Sequence, residues 1–405
     1  MAERVRDDRP SVVCVAGRRV VDVLAEMGVR TVLLGDPTPI DLACTVDVPV
    51  DVDLDDWTAT EAAVRRIHDA HPLDAVLSVY DSCLPLAGYL AARLNVAGLD
   101  LPAAMNCGNK LRMRLALEGA EIPGPAYVVV GDPDEGEAAA ARLGHPVVVK
   151  KITDARGKGS RVCRNPADVG EAIAVLREET SPNLLIEEYV EGPEYAVQTV
   201  TTGGVTEVVS VLAQQTAEGQ RPVEIGYDFP SGLDGESLRR LGDFVARALR
   251  ALGFGDGIAH AQVRLSGSAP VLINVKPRPP GGRLCAVTEA VSGVDMVRAA
   301  VEVALGRPIS RRAPTARYAR YRCMTTDVAG TVDYEPVTPH GAKGELPPPT
   351  VAMDVEPGDE VLPLDHPGGG VYGRIVVYTE SAAELEPAYR SVLDVLRPRV
   401  HPSGT

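Results

Sequence analysis

Two residue types are scarce in this chain. Lysine occurs six times against 35 arginines. Aromatic residues make up 4%, with one Trp and three Phe. Other features are missing altogether. No apolar run reaches the roughly 18 residues that a membrane-spanning helix needs, so no membrane partner is expected. The segment Met1-Ala-Glu-Arg-Val-Arg-Asp-Asp-Arg-Pro10 has no apolar stretch, so no secretory leader is expected. No CxxC pair occurs, and the seven Cys are scattered and odd in number. Zinc-type spacing is therefore excluded, and a reduced, cytoplasmic chain is the expectation. There is no positive excess either. A net charge of −15 excludes a nucleic-acid backbone as the main partner, while leaving room for a local basic pocket.

What is present is a long alternation of apolar strands and amphipathic helices. At roughly 100–200 residues per domain, 405 residues predict two to four domains. Ser11–Gly17, Arg30–Gly35 and Asp74–Val79 read as buried strands, with helices over Arg18–Gly28 and Leu84–Leu94. This alternation predicts parallel βαβ units. No GxGxxG follows the first strand, so no dinucleotide site is read there. A helix is predicted over 103–119, strands over Pro146–Lys151, Val162–Asn165 and Leu184–Val190, and mostly β structure over 205–230. Further on, the pattern predicts a helix over 235–253, two strands about the Gly267 turn, and a helix over 284–305. The composition shifts near 311, and the chain closes with a strand over Tyr372–Thr379 and a helix over about 383–396. The predicted division is an N-terminal α/β domain over 1–105, a core over 106–310 with a lid over about 146–200, and an α+β domain over 311–405.

In a chain that otherwise uses Arg, the remaining lysines mark places where a compact ammonium is chemically useful. Five of the six lie in three short segments: Lys110; Lys150, Lys151 and Lys158; and Lys276. Lys150 ends a strand and precedes the polar loop Thr153-Asp-Ala-Arg-Gly-Lys-Gly-Ser160. Alone, Gly157-Lys-Gly-Ser160 is a weak signal, since most small glycine loops are only turns. Lysines together with a backbone N–H loop are nevertheless what a triphosphate needs.

The order of the segments carries more than any one of them. Asn109-Lys110 with Arg114 comes first, then Ile122-Pro-Gly-Pro125 and Val147-Val-Val-Lys150. Ile186-Glu-Glu-Tyr-Val-Glu-Gly-Pro-Glu-Tyr195 follows, then Gly257-Ile-Ala-His260-Ala-Gln262 and Ile273-Asn-Val-Lys-Pro-Arg-Pro-Pro-Gly-Gly282. In this order they resemble an ATP-grasp protein over about residues 75–310. Phe229-Pro-Ser-Gly232 and the late Gly-Arg-Ile-Val-Val-Tyr378 further resemble the branch with L-amino acid ligases. The resemblance implies an α/β chain with an ATP-grasp fold, a Rossmann-like N-terminal domain and a small C-terminal α+β domain. It implies ATP as cofactor, with Lys110 and Lys150 on its phosphates and the loop with Ser160 closing over them. Glu187 and the backbone of Val190 would read adenine, Glu194 would take the ribose hydroxyls, and Arg278 would hold the transferring phosphoryl group. Small-molecule carboxylate and amine substrates are implied, and a homodimer is common in the family.

The sequence departs from the family where magnesium is normally held. The family pattern of HxE followed by ExNxR reads here as His260-Ala-Gln262 and Asn274-Val-Lys276-Pro-Arg278. Mg²⁺ takes carboxylate and phosphate oxygens. Gln262 and Asn274 offer neutral amides, and Lys276 repels a cation but suits a bare phosphate. Bound Mg²⁺ is therefore in doubt. Lys276, Arg278 and His260 stand as candidate catalytic groups, His260 because alternate strand residues put it on the face of Gln262. Three readings remain open at this point: an ATP-dependent carboxylate–amine ligase, a scaffold running metal- or ATP-independent chemistry, and a non-catalytic nucleotide-binding partner subunit.

Overall fold

The computed structural model describes residues 8–153, 159–177, 183–336, 346–366 and 368–402. The expected loop at 153–160 therefore falls largely outside the described residues. Near the N-terminus, the strands Ser11–Val15, Arg30–Gly35, Val48–Asp51, Ala75–Leu77 and Ala97–Gly98 form one parallel sheet in the order third, second, first, fourth, fifth. A parallel strand covered on both faces is apolar throughout rather than alternating. Ser11–Val15 shows why. Val12 and Cys14 pack with the helices Arg18–Glu26 and Met296–Ala304, while Val13 and Val15 pack with Trp57–Ala70 and Leu84–Leu94. The helix Met296–Ala304, from late in the chain, thus covers a face of the N-terminal sheet.

The centre of the molecule is an eight-stranded antiparallel sheet. Its order is Ala269–Lys276, Gly257–Ser266, Glu194–Thr202, Val205–Thr216, Glu224–Phe229, Tyr318–Met324, Gly373–Thr379 and Thr350–Met353. Residues beyond 311 therefore add three strands to it, besides a small sheet of their own. The helix Gly235–Ala251 closes one face. Leu241, Phe244, Val245 and Ala248, spaced at helical periodicity, pack there on Val197, Ala261, Val263 and Val275. The opposite face carries Arg264, Gln262 and His260 and holds the site. A third, four-stranded antiparallel sheet, the lid sheet, takes three strands from the expected lid region and adds Tyr127–Val130; its order is Tyr127–Val130, Leu184–Glu188, Val147–Lys151, Ser160–Cys163. Ile173, Ile186 and Val149 are among its core.

Two helices expected as continuous are each broken by a cap. The 103–119 pattern divides into Leu101–Cys107 and Lys110–Gly119, because the Asn109 side chain accepts from the Arg112 N–H at 2.9 Å. The 284–305 pattern divides into Leu284–Ser292 and Met296–Ala304. Gly293 takes φ 73°, where a Cβ would collide with the Arg312 carbonyl, and Asp295 accepts from Val297 N at 2.9 Å and Arg298 N at 3.2 Å. No described helix is long and apolar enough to cross a membrane.

Candidate nucleotide site

A cavity of about 950 Å³, partly open to solvent, lies between the lid sheet and the cleft face of the central sheet. Its wall gathers Lys110, Lys150, Ser160, Glu187, Val190 and Glu194, all expected on the nucleotide. Gln262, Asn274 and Lys276 line the same cavity. Residues from six strands and one helix therefore converge, and the pairing explains how. Lys150 stands opposite Ser160 on adjacent lid strands. Gln262 stands opposite Asn274, and His260 opposite Lys276, on adjacent central strands.

At the lid end, Glu187 is 1% exposed and carries three charged contacts. Arg114 donates to its two oxygens from Nε at 2.7 Å and Nη2 at 3.2 Å, and Lys150 Nζ donates at 2.5 Å. Burial raises the carboxyl pKa, but Lys150 and Arg114 override it and hold the group at about 2. The same Arg114 donates to the carbonyls of Leu272 at 3.2 Å and Ile273 at 2.7 Å. One buried guanidinium thus ties the lid strand to the central sheet, and Glu187 fixes the ammonium of Lys150 in the cavity wall. The Glu187 carboxylate is engaged with these cations, so it reaches a ligand only by sharing oxygens with them.

Glu194 is buried between Gln214 Nε2 at 2.7 Å, Thr216 Oγ1 at 3.3 Å and Arg264 Nε at 3.0 Å. Burial raises its pKa, against the lowering by Arg264. Arg264 also donates to the Val190 carbonyl at 2.7 Å and lies 4.8 Å over the Tyr189 ring. It stiffens the segment joining lid and core. Sequence reasoning passed over Arg264, although its position two residues beyond Gln262 puts it on the same face.

In the middle of the floor, amides form a connected network. Gln262 Nε2 donates to Glu224 Oε1 at 2.7 Å and to Gln214 Oε1 at 3.4 Å, and Asn274 Nδ2 donates to Gln262 Oε1 at 3.3 Å. The family's magnesium does not fit this donor set. The Gln262 oxygen is occupied, the amides offset no charge, and the Lys276 ammonium lines the same wall. Among the described residues, no group of three or more His, Cys, Asp or Glu is placed to hold a metal ion. Lys110, Lys150 and Lys276 face one cavity together with Arg264 and the carboxylates of Glu187, Glu188, Glu194 and Glu224.

The far end holds a residue that nothing in the sequence pointed to. Asp81, from the turn after the strand Ala75–Leu77, accepts from Arg278 Nε at 2.5 Å and Nη2 at 2.8 Å. Lys276 Nζ lies 3.3 Å from its other contact oxygen, Oδ2. Burial raises the Asp81 pKa, and Arg278 and Lys276 more than reverse that. Arg278 also donates to the Pro279 carbonyl at 2.7 Å. Its guanidinium is committed to Asp81 and the backbone, and Arg278 does not line the nucleotide cavity. His260 is likewise absent from that wall. It is buried, its Nδ1 lies 3.0 Å from Gln198 Nε2, and burial followed by the charges of Lys276 and Arg278 lowers its pKa to about 3. It is therefore neutral near pH 7 and a weak base.

Comparison with known proteins bears on the fold. The model of the ATP-grasp domain matches residues 143–287. An uncharacterized protein of Sinorhizobium fredii is 27% identical over 325 residues, covering 78% of this chain and 67% of that protein. Carnosine synthase 1 of Homo sapiens is 27% identical over 270 residues, covering 60% of this chain but only 32% of that protein. The match thus spans about a third of the length of the carnosine synthase. Among solved structures, an L-amino acid ligase from Bacillus licheniformis superposes with TM-score 0.77 at 20% identity, covering 98% of this chain and 99% of that one. A phosphoribosylglycinamide synthetase from Anaerococcus prevotii gives TM-score 0.70 at 17% identity, covering 98% and 100%. Residues 143–287 thus match an ATP-grasp domain, and the chain has an ATP-grasp fold.

Proposed function

We propose that this ATP-grasp chain is an ATP-dependent ligase that activates a small-molecule carboxylate and joins it to an amine, with Lys276 standing where family members place magnesium. The observation that carries the reading is the convergence of Lys110, Lys150 and Lys276 on one cavity beneath the lid. ATP would supply the phosphoryl group that turns the carboxylate into a reactive acyl derivative. The chain's own groups bind and orient. Lys110 and Lys150 hold the phosphates, and Glu187 keeps Lys150 from swinging into solvent. Val190 and the engaged Glu187 shape the adenine end, Ser160 the lid edge, and Glu194 the ribose end. Lys276 offsets phosphate charge at the far end, while Asp81 and Arg278 fix its position. His260 acts as a neutral hydrogen-bonding group. Resemblance to ligases in the curated relatives and the superposed amino acid ligase supports the reaction class.

The direct test is phosphate release from ATP, screened over pairs of carboxylates and amines, amino acids first. Release that depends on both partners supports the reading, and failure to bind ATP at all overturns it. A second reading is favoured by one observation, the amide network at Gln262 and Asn274. A site with amides at these two positions can bind nucleotide and not transfer its phosphoryl group, as in a binding subunit. Tight ATP binding with no turnover across the screen would select it.

A further inference from the structure

Two strands of the lid sheet are tied to the rest of the molecule by different means. The strand Leu184–Glu188 is held by Arg114 through Glu187. The strand Ser160–Cys163 is an outer edge of the sheet, where backbone N–H groups normally face solvent. Here the Val162 N–H donates to the Gln220 carbonyl at 2.6 Å, and Arg161 Nη1 donates to Gln220 Oε1 at 3.0 Å. Gln220 belongs to the loop 217–223 between the strands Val205–Thr216 and Glu224–Phe229 of the central sheet. Val162 and Pro222, on the two sides of this seam, both line the nucleotide cavity. The seam is therefore part of the wall that encloses the nucleotide site.

The loop is itself fixed from the other side, by a segment of the C-terminal region. Arg221 is 8% exposed, and its Nη1 donates to the carbonyls of Leu364 at 2.6 Å, His366 at 3.0 Å and Gly369 at 3.0 Å. In return, Asp365 Oδ1 accepts from the backbone N–H of Gln220 at 3.2 Å and of Arg221 at 3.3 Å. Gly219 makes this approach possible. It takes φ 140°, and a Cβ there would lie 2.8 Å from Asp365 Oδ2. Arg221 and Asp365 thus lock together two segments 144 residues apart, and neither residue lines the nucleotide cavity.

We propose that Arg221 and Asp365 are positioning residues for nucleotide retention. They hold the loop 217–223 as a fixed clasp, and the outer lid strand fastens to it through Gln220. The C-terminal segment about Asp365 thereby sets how fast nucleotide leaves. Opening this edge of the lid breaks the two bonds to Gln220, while the contacts of Arg221 and Asp365 persist. A loosened loop presents Gln220 in its bonding position for less of the time, so the seam opens more often and nucleotide escapes sooner. The strand Leu184–Glu188 has its own anchor in Arg114 and stays in place. The control of release rests on the nucleotide reading of the cavity, whereas the fastening of the lid strand does not.

The test uses the full chain and two readouts. One is amide hydrogen exchange without nucleotide. The other is dissociation of ATP from the immobilised chain, followed by surface plasmon resonance. Asp365→Ala removes the acceptor of both loop N–H groups, and Arg221→Met removes the three carbonyl contacts. Each should speed exchange over 160–163 and ATP release by about fivefold or more, the effect of losing about one net hydrogen bond of support. Exchange over 184–188 should change less than about twofold. Asp365→Asn keeps an acceptor oxygen and should bring both rates back to within about twofold of native. Asp365 is exposed, so its variants guard against a folding defect in Arg221→Met. Unchanged exchange over 160–163 in Asp365→Ala and Arg221→Met, or equal rises over 160–163 and 184–188, would overturn the proposal. Faster exchange with unchanged ATP release would overturn the control of nucleotide and leave the ligase reading standing. A native chain that binds no ATP would overturn the ligase reading and the control of release together, and the exchange pattern would still decide the fastening of the lid strand.

Discussion

Lys150 and Lys276 line one cavity, and their surroundings differ in burial. Lys150 sits on a carboxylate that is almost wholly buried and is held from behind by Arg114. Its position is fixed through the Arg114 link to Leu272 and Ile273. Lys276 shares a more exposed carboxylate with Arg278 and is itself more exposed than Lys150. One lysine is part of the structure that joins lid to core, whereas the other is available to a ligand. The difference separates variants that unfold the lid junction from variants that only weaken a polyanion.

The largest effect should come from breaking the more buried end. Glu187→Ala leaves Arg114 buried without its partner, and losing one side of a buried pair costs about 3–5 kcal/mol. Thermal unfolding should show a clear drop in Tm, and an unchanged Tm would contradict the structural role. Lys276→Met should leave Tm nearly unchanged and weaken ATP by about tenfold to a hundredfold in calorimetry. If it instead unfolds the chain, the two ends do not differ as described.

Acid should separate the groups further. Burial lowers the His260 pKa from 6.5 to about 3, so the unfolded chain takes up this proton first. The stability contributed is full above about pH 6.5 and is lost as pH falls from there towards 3. Glu187 is depressed from 4.5 to about 2, so its contribution is full above about pH 4.5 and is lost between 4.5 and 2. Denaturant unfolding of His260→Gln should flatten the upper window and leave the lower one. The smallest effect is expected from Glu224→Gln. Glu224 is exposed and its bond to Gln262 Nε2 can be replaced by an amide oxygen, so Tm should hardly move.

Much of the nucleotide cavity was legible because the lysines are rare and the motifs keep their order. Lys110, Lys150, Ser160, Glu187, Val190 and Glu194 come together in one wall. The apolar strands Ser11–Val15 and Arg30–Gly35 were legible because burial on both faces leaves a continuous apolar run. The strand Val48–Asp51, with alternating half-exposed residues, and the short strand Tyr127–Val130 were not. The helix breaks at Asn109 and Gly293 were missed because hydrophobic periodicity runs through both caps. Asp81 was invisible for another reason. It lies 197 residues from Arg278, and only the packing of the N-terminal sheet against the core brings the two together. Arg278 and His260 were placed in the cavity by motif, but local hydrogen bonds decide where their side chains go.

The central claim is that Lys276 replaces a metal ion in holding the phosphates. It is tested most directly by ATP affinity with Mg²⁺ and with chelator, in the native chain and in the triple variant Gln262→Glu, Asn274→Glu, Lys276→Asn. The account predicts a native affinity that changes less than about threefold with the metal, and a variant that binds ATP well only when Mg²⁺ is present. A native chain that needs Mg²⁺ to bind ATP, with Lys276→Met binding as well as the native chain, would contradict it.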